Sequence, residues 1–292
     1  DRDCILKSIK EKNLSLNKDW KVNILEEKIE NKLNNKIYIN KACINSKEVK
    51  KNNIFFGIRG KKIDGGKFAN QAVKNGASVA IVDKNYEKKI KNKIIVKNTL
   101  KFFTEYATKI RESSNINSIG ITGSAGKTSL KEMLGQSLSK IYKTTYSKKS
   151  FNNKYGVPIS LFNIEKKDQF GVFEIGMDKK GEINHLSRMI KPNIGVITNI
   201  SYAHSKNFNN LFGIAKAKSE IIDNILKNGS IVLNADDRFY KYFKFKSKKK
   251  GLKIISFSKK NKSNIKLEKI KSLKNTSIIK VDINGRSKNF II

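Results

Sequence analysis

The run Gly120-Ile121-Thr122-Gly123-Ser124-Ala125-Gly126-Lys127-Thr128-Ser129 carries the clearest chemistry in the chain. Glycines at such spacing let backbone N–H groups close around phosphate oxygens where a helix begins. Lys127 is placed to neutralise β- and γ-phosphates, and the Thr128 hydroxyl to ligate Mg²⁺. An apolar strand leads in, and Leu130, Met133, Leu134, Leu138 and Ile141 follow at helical spacing. They predict a helix over Lys127–Ile141 with one apolar face. The long form of this loop has a glycine five residues before Gly126, where this chain has Ile121. The motif is therefore the short form, Gly-x-x-Gly-Lys-Thr. It marks a nucleotide site, with Gly123 to Ser129 as its contacts.

Three later polar residues fall where strands of the same half should end. Glu174 interrupts the apolar run Val172-Phe173-Glu174-Ile175. A carboxylate there lies on the rim where open α/β sheets bind ligands, and suits a second ligand for the nucleotide's Mg²⁺. His204 follows the strand Ile194–Ile200 and is also compatible with an ordinary loop histidine; His185 reads as surface. Lys218 lies four residues after Ile214, three before Ile221 and four before Ile222. That spacing puts it on an apolar helix face, with Lys216 and Glu220 turned away. A lysine held inward has a depressed pKa and can react with CO₂ to give an anionic carbamate. Snorkelling to the surface is the other outcome open to it.

The elements that must position these groups form two sets. From Ile37 the pattern gives strands at Ile54–Ile58, Ser78–Val82 and Ile94–Val96. It gives helices at Lys67–Asn75 and Thr99–Arg111, the second with Phe102, Phe103, Tyr106 and Ile110 on one face. Ser113-Ser114-Asn115 is a candidate boundary. Beyond it strands (Ile116–Thr122, Gly171–Met177, Ile194–Ile200, Ser230–Asn234) alternate with helices (Lys127–Ile141, Gly181–Ile190, Asn210–Leu226), as a mostly parallel α/β sheet requires. Short strands follow Gly251, with Asn284-Gly285 as a hairpin turn. The predicted organisation is an uninformative segment 1–36, a small α/β domain over 37–113 ending in a linker helix, and a phosphate-loop domain over 114–292.

The 292 residues hold 62 basic and 25 acidic side chains, for a net charge of +37. A surface so basic suggests a polyanionic partner, and a basic P-loop ATPase acting on nucleic acid is one reading. Yet 56 of the 62 cations are lysine, whereas bidentate contacts to phosphates and bases favour arginine. Lysine, asparagine and isoleucine share A/T-rich codons, so genome composition is the simpler cause. No specific nucleic-acid partner is expected. Two cysteines, Cys4 and Cys43, give neither a disulfide framework nor a metal pair. No apolar run approaches the roughly 18 residues of a membrane span, and no signal peptide is visible. A cytoplasmic monomer is the expectation.

The chain resembles the Mur ligases, ATP-dependent enzymes that add amino acids to the UDP-muramoyl precursor of the bacterial cell wall. The resemblance covers residues 37–292. Besides the phosphate loop, it rests on Ser150-Phe151-Asn152-Asn153-Lys154-Tyr155-Gly156-Val157-Pro158, Phe173–Met177 with Gly181-Glu182-Ile183, and Thr198-Asn199-Ile200 with His204. Ala217-Lys218-Ser219-Glu220 and Asn234-Ala235-Asp236-Asp237 complete it. The Phe-Asn-Asn block favours the member that joins D-alanyl-D-alanine to UDP-N-acetylmuramoyl-tripeptide. The preceding UDP-muramoyl-dipeptide ligase and a folylpolyglutamate-type synthetase stay as alternatives.

The resemblance implies roles. Lys127 and Thr128 hold ATP and the first of two Mg²⁺ ions, with Glu174 on that metal and His204 on the second. Lys218 is the carbamylated lysine, formed with CO₂. Asn234 with Asp236 or Asp237 lies near adenosine, and Asn152 and Asn153 line the site near nucleotide and acceptor. Ser46 contacts UDP, through Asn45-Ser46-Lys47 where the family has Asp-Ser-Arg. The implied reaction passes through an acyl phosphate, with release of ADP and phosphate. The family's C-terminal domain is expected to be missing, so that this chain binds its nucleotides but ligates poorly alone.

Overall fold

The computed structural model describes residues 19–29, 33, 37–84, 86, 90, 92–202, 207–273 and 276–291. It divides into two compact units: the described residues up to Ser114 with Leu161–Asn163, and Asn115–Ser160 with Ile164 onward.

The first unit opens with helix α1 (Trp20–Ile29), in a stretch whose sequence shows only weak periodicity. Its Val22 and Leu25 are fully buried. Four short strands follow, β1 (Ala42–Cys43), β2 (Asn53–Phe56), β3 (Ala77–Val82) and β4 (Lys93–Ile95). They pair in that order and all in parallel. Helix α2 (Ala69–Lys74) continues a single 3-10 turn, Gly65–Phe68, whose N-terminal Gly66 N–H is capped by Asp64. The helix expected at Lys67–Asn75 is therefore part 3-10 turn and part α-helix. Helix α3 (Thr99–Glu112), capped by Asn98, turns Phe103, Tyr106, Ala107 and Ile110 inward and leaves Phe102 half-buried.

An aromatic cluster holds this unit. Phe56 lies 4.4 Å from Phe103 and Tyr106 lies 4.9 Å from Phe162, centroid to centroid. The buried Tyr106 hydroxyl donates to the Lys21 carbonyl at 2.6 Å. Lys21, itself 4% exposed, donates from Nζ to the carbonyls of Asn40 and Phe162.

The second unit is a nine-stranded sheet. Its strands are β5 (Asn117–Thr122), β6 (Thr144–Tyr146), β7 (Phe170–Glu174), β8 (Ile194–Ile197) and β9 (Ser230–Asn234), then β10 (Lys253–Ser258), β11 (Ile265–Ser272), β12 (Ser277–Ile283) and β13 (Arg286–Ile291). The spatial order is 13-12-11-10-9-8-5-7-6. Strands from β11 through β6 run parallel, and β12 and β13 add an antiparallel edge. Asn284 (φ 50°) and Gly285 (φ 84°) turn the last hairpin with positive φ at both positions, as a type I′ turn requires.

Its helices are α4 (Lys127–Ser139), α5 (Gly156–Phe162, whose last two residues count with the first unit), α6 (Glu182–Ile190), α7 (Leu211–Lys218), α8 (Glu220–Asp223) and α9 (Tyr240–Lys249). Two sequence expectations change here. On α4, Leu130, Leu134 and Leu138 pack on a core of Ile119, Ile121, Val172 and Val196, but Met133 is 66% exposed. The helix ends at Ser139, so Ile141 lies beyond it and is 76% exposed, and beside the leucine row α4 buries Lys131 and Gly135 instead of a wider apolar stripe. The helix expected over Asn210–Leu226 is broken at Ser219, whose Oγ bonds back to the Lys216 carbonyl.

Phe56 is fully buried and touches three other rings of the cluster. Phe56→Ala should cost the first unit about 3–5 kcal/mol. Chemical denaturation followed by the single tryptophan, Trp20 on α1, reads the loss.

Candidate nucleotide site

Strand β5 lies between β8 and β7, so its C-terminal end faces the rim where the chain's crossovers change side. The loop Gly123–Gly126 leaves it there and feeds α4. Gly123 has φ 148°, and a Cβ on it would collide with Thr198 Oγ1. Gly126 has φ 77° and open space around it, so its need for glycine comes from the backbone alone.

The loop is clamped from the end of β8. Thr198 Oγ1 donates to the Ala125 carbonyl at 2.6 Å. Asn199 Oδ1 accepts from Ala125 N–H at 3.0 Å, and its carbonyl accepts from Ser124 N–H at 2.9 Å. Ser124 Oγ donates to the Ser201 carbonyl and accepts from the Ser201 N–H. Thr198 and Asn199 thus shape the loop, a task the sequence does not announce because their partners lie more than 70 residues away.

Two lysines meet at one oxygen. Lys127 Nζ donates to the Gly123 carbonyl at 2.8 Å, and Lys218 Nζ donates to the same carbonyl at 2.9 Å. Lys218 is 1% exposed, which settles its direction in favour of the interior. Burial, reinforced by the Lys127 charge, lowers its pKa from the ordinary 10.5 to about 7. Burial also lowers the pKa of Lys127, with Glu174 opposing the shift. A substantial neutral fraction of Lys218 follows at neutral pH.

Glu174 ends β7 and is 1% exposed. Its Oε2 accepts from Thr128 Oγ1 and its Oε1 from Asn152 Nδ2, both at 2.8 Å. Both donors are neutral, and Glu174 makes no ion pair with any described residue. A buried carboxylate without a cation, facing a hydroxyl, is the oxygen donor set that suits a hard divalent ion. Thr128 and Glu174 together therefore fit a hard divalent ion such as Mg²⁺.

Other expected residues serve elsewhere. Asn153 Oδ1 accepts from the N–H groups of Tyr155 and Gly156 and so caps α5. Asn234 donates to the Thr198 carbonyl at 3.4 Å and accepts from Asp236 N–H, which ties β9 to the end of β8. Asp237 Oδ2 accepts from Ile200 N–H. Asp236 accepts from the N–H groups of Lys259, Lys260 and Asn261; these bonds hold its pKa low although burial pulls the other way. Ser129 is exposed on α4. Ser46 belongs to the first unit, where its buried hydroxyl donates to Gln71 at 2.7 Å. His204 lies outside the described residues.

The sequence comparisons decide the family. The "Mur ligase middle domain" model matches residues 121–291, and the "Mur ligase family, catalytic domain" model matches 39–117. The chain belongs to the Mur ligase family. This Mur ligase chain is 37% identical over 258 residues to the UDP-N-acetylmuramoyl-tripeptide–D-alanyl-D-alanine ligase of Rickettsia prowazekii, covering 87% of this chain and 57% of that protein. It is 35% identical to the ligase of the same name from Buchnera aphidicola subsp. Baizongia pistaciae, covering 78% of this chain and 50% of the relative. The chain thus spans about half the length of the curated relatives it matches. A crystal structure of MurF from Acinetobacter baumannii superposes with TM-score 0.82 at 28% identity, over 94% of this chain and 60% of that one. The mixed α/β fold with its mostly parallel sheet is the fold of that neighbour.

Lys218 supplies a pH test. The unfolded chain protonates it below about pH 10.5, but the folded chain does so only below about 7. The folded state therefore loses stability as pH falls through that window. In CO₂-free buffer, the melting temperature of Lys218→Met relative to the parent should rise steadily from pH 10 to 7 and level off below. A pH-independent difference would contradict the buried lysine.

Proposed function

We propose that this chain serves an ATP-dependent ligase that joins D-alanyl-D-alanine to UDP-N-acetylmuramoyl-tripeptide in peptidoglycan precursor synthesis. The observation that carries the reading is the grouping on one rim. The phosphate loop stands against the Thr128–Glu174–Asn152 cluster, with Lys218 turned in beside Lys127. The similarity to relatives named for this reaction supports it. The unit that holds this rim, from Asn115 on, is the proposed ATP-binding domain. The unit ending at Ser114 is the proposed UDP-precursor domain, with Ser46 as its contact.

The tripeptide carboxylate attacks the γ-phosphorus of ATP, the bond to ADP breaks, and an acyl phosphate results. The amine of D-alanyl-D-alanine then attacks the acyl carbon and phosphate leaves. Both reactants of the first step are anions, so cations at the loop decide its rate. Lys127 must leave the Gly123 carbonyl to meet the β/γ-phosphates, and Thr128 and Glu174 hold Mg²⁺. When bound, the metal neutralises charge on the phosphate oxygens.

Asn152 keeps the Glu174 carboxylate aimed at Thr128. Neutral Lys218 attacks the carbon of CO₂, a C–N bond forms and a proton leaves. The resulting carbamate replaces repulsion of Lys127 with attraction. His204 and this carbamate are the proposed holders of a second Mg²⁺. Since ATP and UDP-linked precursors are the reactants, the proposed reaction belongs to the cytoplasm, and we assign it to a monomer.

Thermal-shift titration with Mg-ATP, UDP-muramoyl-tripeptide, UDP-muramoyl-dipeptide and a DNA oligomer tests the reading. At 100 times its Kd a ligand specific to the folded state adds about 2.7 kcal/mol. Stabilisation by ATP and the tripeptide, but not the dipeptide or DNA, is expected. Preference for the dipeptide would move the assignment to the preceding ligase. A response to ATP and DNA alone would point to a nucleic-acid ATPase.

A further inference from the structure

Lys131 is a charged side chain that the reading above does not use. It lies on α4, three residues past Thr128 and four past Lys127, and its side chain has no solvent exposure. Its Nζ donates to the Ser147 carbonyl at 2.7 Å, the Lys149 carbonyl at 2.8 Å and Glu132 Oε1 at 2.6 Å. All three ammonium hydrogens are thereby used. An apolar residue would suffice if this position merely filled a core, and a buried cation is costly unless fully paired.

The two carbonyls belong to the segment that wraps around Glu174. Ser147 is fully buried, its N–H donates to the Val172 carbonyl of β7, and its Oγ accepts from Glu174 N–H at 3.1 Å. Lys149 turns the chain with φ 49°, a conformation unusual for a residue with a side chain. Five residues after Ser147, Asn152 comes back to Glu174. Its carbonyl accepts from Gly176 N–H at 2.8 Å, and its Nδ2 donates to Glu174 Oε1. A Cβ on Gly176 would meet the Asn152 side chain at 2.8 Å, so the two run in close contact. Glu174 is thus gripped at its N–H by Ser147 and at its carboxylate by Asn152, both from one segment. The ammonium of Lys131 ties that segment to the helix that presents Thr128.

We propose that Lys131 is a positioning residue for the metal: it fixes segment 147–152 to α4 and so sets the separation of Thr128 and Glu174. This rests on the reading of those two residues as the Mg²⁺ ligands of a nucleotide site. Groups that orient metal ligands from behind change metal affinity by about 10–100-fold when removed. The effect belongs to the metal and not to the phosphate loop, whose clamp at Thr198 and Asn199 is separate.

The test measures binding of a fluorescent ATP analogue to the full chain across a Mg²⁺ titration, and again in EDTA. Lys131→Met removes all three bonds; Lys131→Gln keeps an amide donor and stands in should the first variant fail to fold. Circular dichroism confirms folding. The Mg²⁺ concentration for half-maximal binding should rise about tenfold or more in Lys131→Met and less in Lys131→Gln. Metal-free affinity should stay within about twofold of the parent, which a general loosening of the loop would not allow. An unchanged Mg²⁺ requirement in a folded variant, or an equal loss with and without metal, would overturn the positioning role. Failure of the parent chain itself to bind Mg-ATP would instead overturn the nucleotide reading.

Discussion

The carbonyl oxygen of Gly123 accepts hydrogen bonds from Lys127 at 2.8 Å and from Lys218 at 2.9 Å, and the arrangement of the site follows from that meeting. Two ammonium groups converge where burial has removed most of the water that would screen them. The cost falls on the more buried Lys218, whose pKa drops to about 7 through burial and the Lys127 charge. The contact joins residues 95 positions apart, from the loop after β5 and the end of α7. It holds because the parallel sheet delivers both elements to the same rim.

Glu174 presents the opposite problem a short way along that rim. It is a buried anion whose partners, Thr128 and Asn152, are neutral. The protein thus keeps unpaired negative charge beside excess positive charge without letting them form a direct ion pair. Lys127 is instead held on the Gly123 carbonyl, with β7 behind Glu174 and the clamp from Thr198 and Asn199 behind the loop. Pre-set charge of both signs suits a metal-bound triphosphate, which would supply the missing counter-charges once the Lys127 ammonium leaves the Gly123 carbonyl.

Much of this was readable before any fold was known, and the reason differs by residue. The phosphate loop is local: strand, glycines, Lys-Thr and helix adjoin in the chain, so the physics that makes the site also makes the motif. Lys218 was legible because helical periodicity carries direction, and its neighbours Ile214, Ile221 and Ile222 are themselves buried. Periodicity failed at Met133, which matches the stripe of α4 by type but is exposed, and at Ile141, which lies past the end of the helix. It failed again at Ser219, where the single helix that apolar spacing predicts divides into α7 and α8.

Residue type and spacing by themselves determined the phosphate loop and the alternating α/β order, and they placed Lys218 on an apolar helix face. Each depends on interactions within about one turn or one strand of chain. Tertiary structure alone decided which polar groups work together. Asn152 and Asn153 are adjacent and chemically identical, yet one reaches Glu174 and the other caps α5. Asp236 and Asp237 likewise divide between the loop after β10 and the backbone after β8. Lys131 is one lysine among 56, and only the fold withdraws it from solvent and gives it three acceptors. A side chain's type sets what it can bond to, but its partners are chosen by the packing of segments distant in sequence.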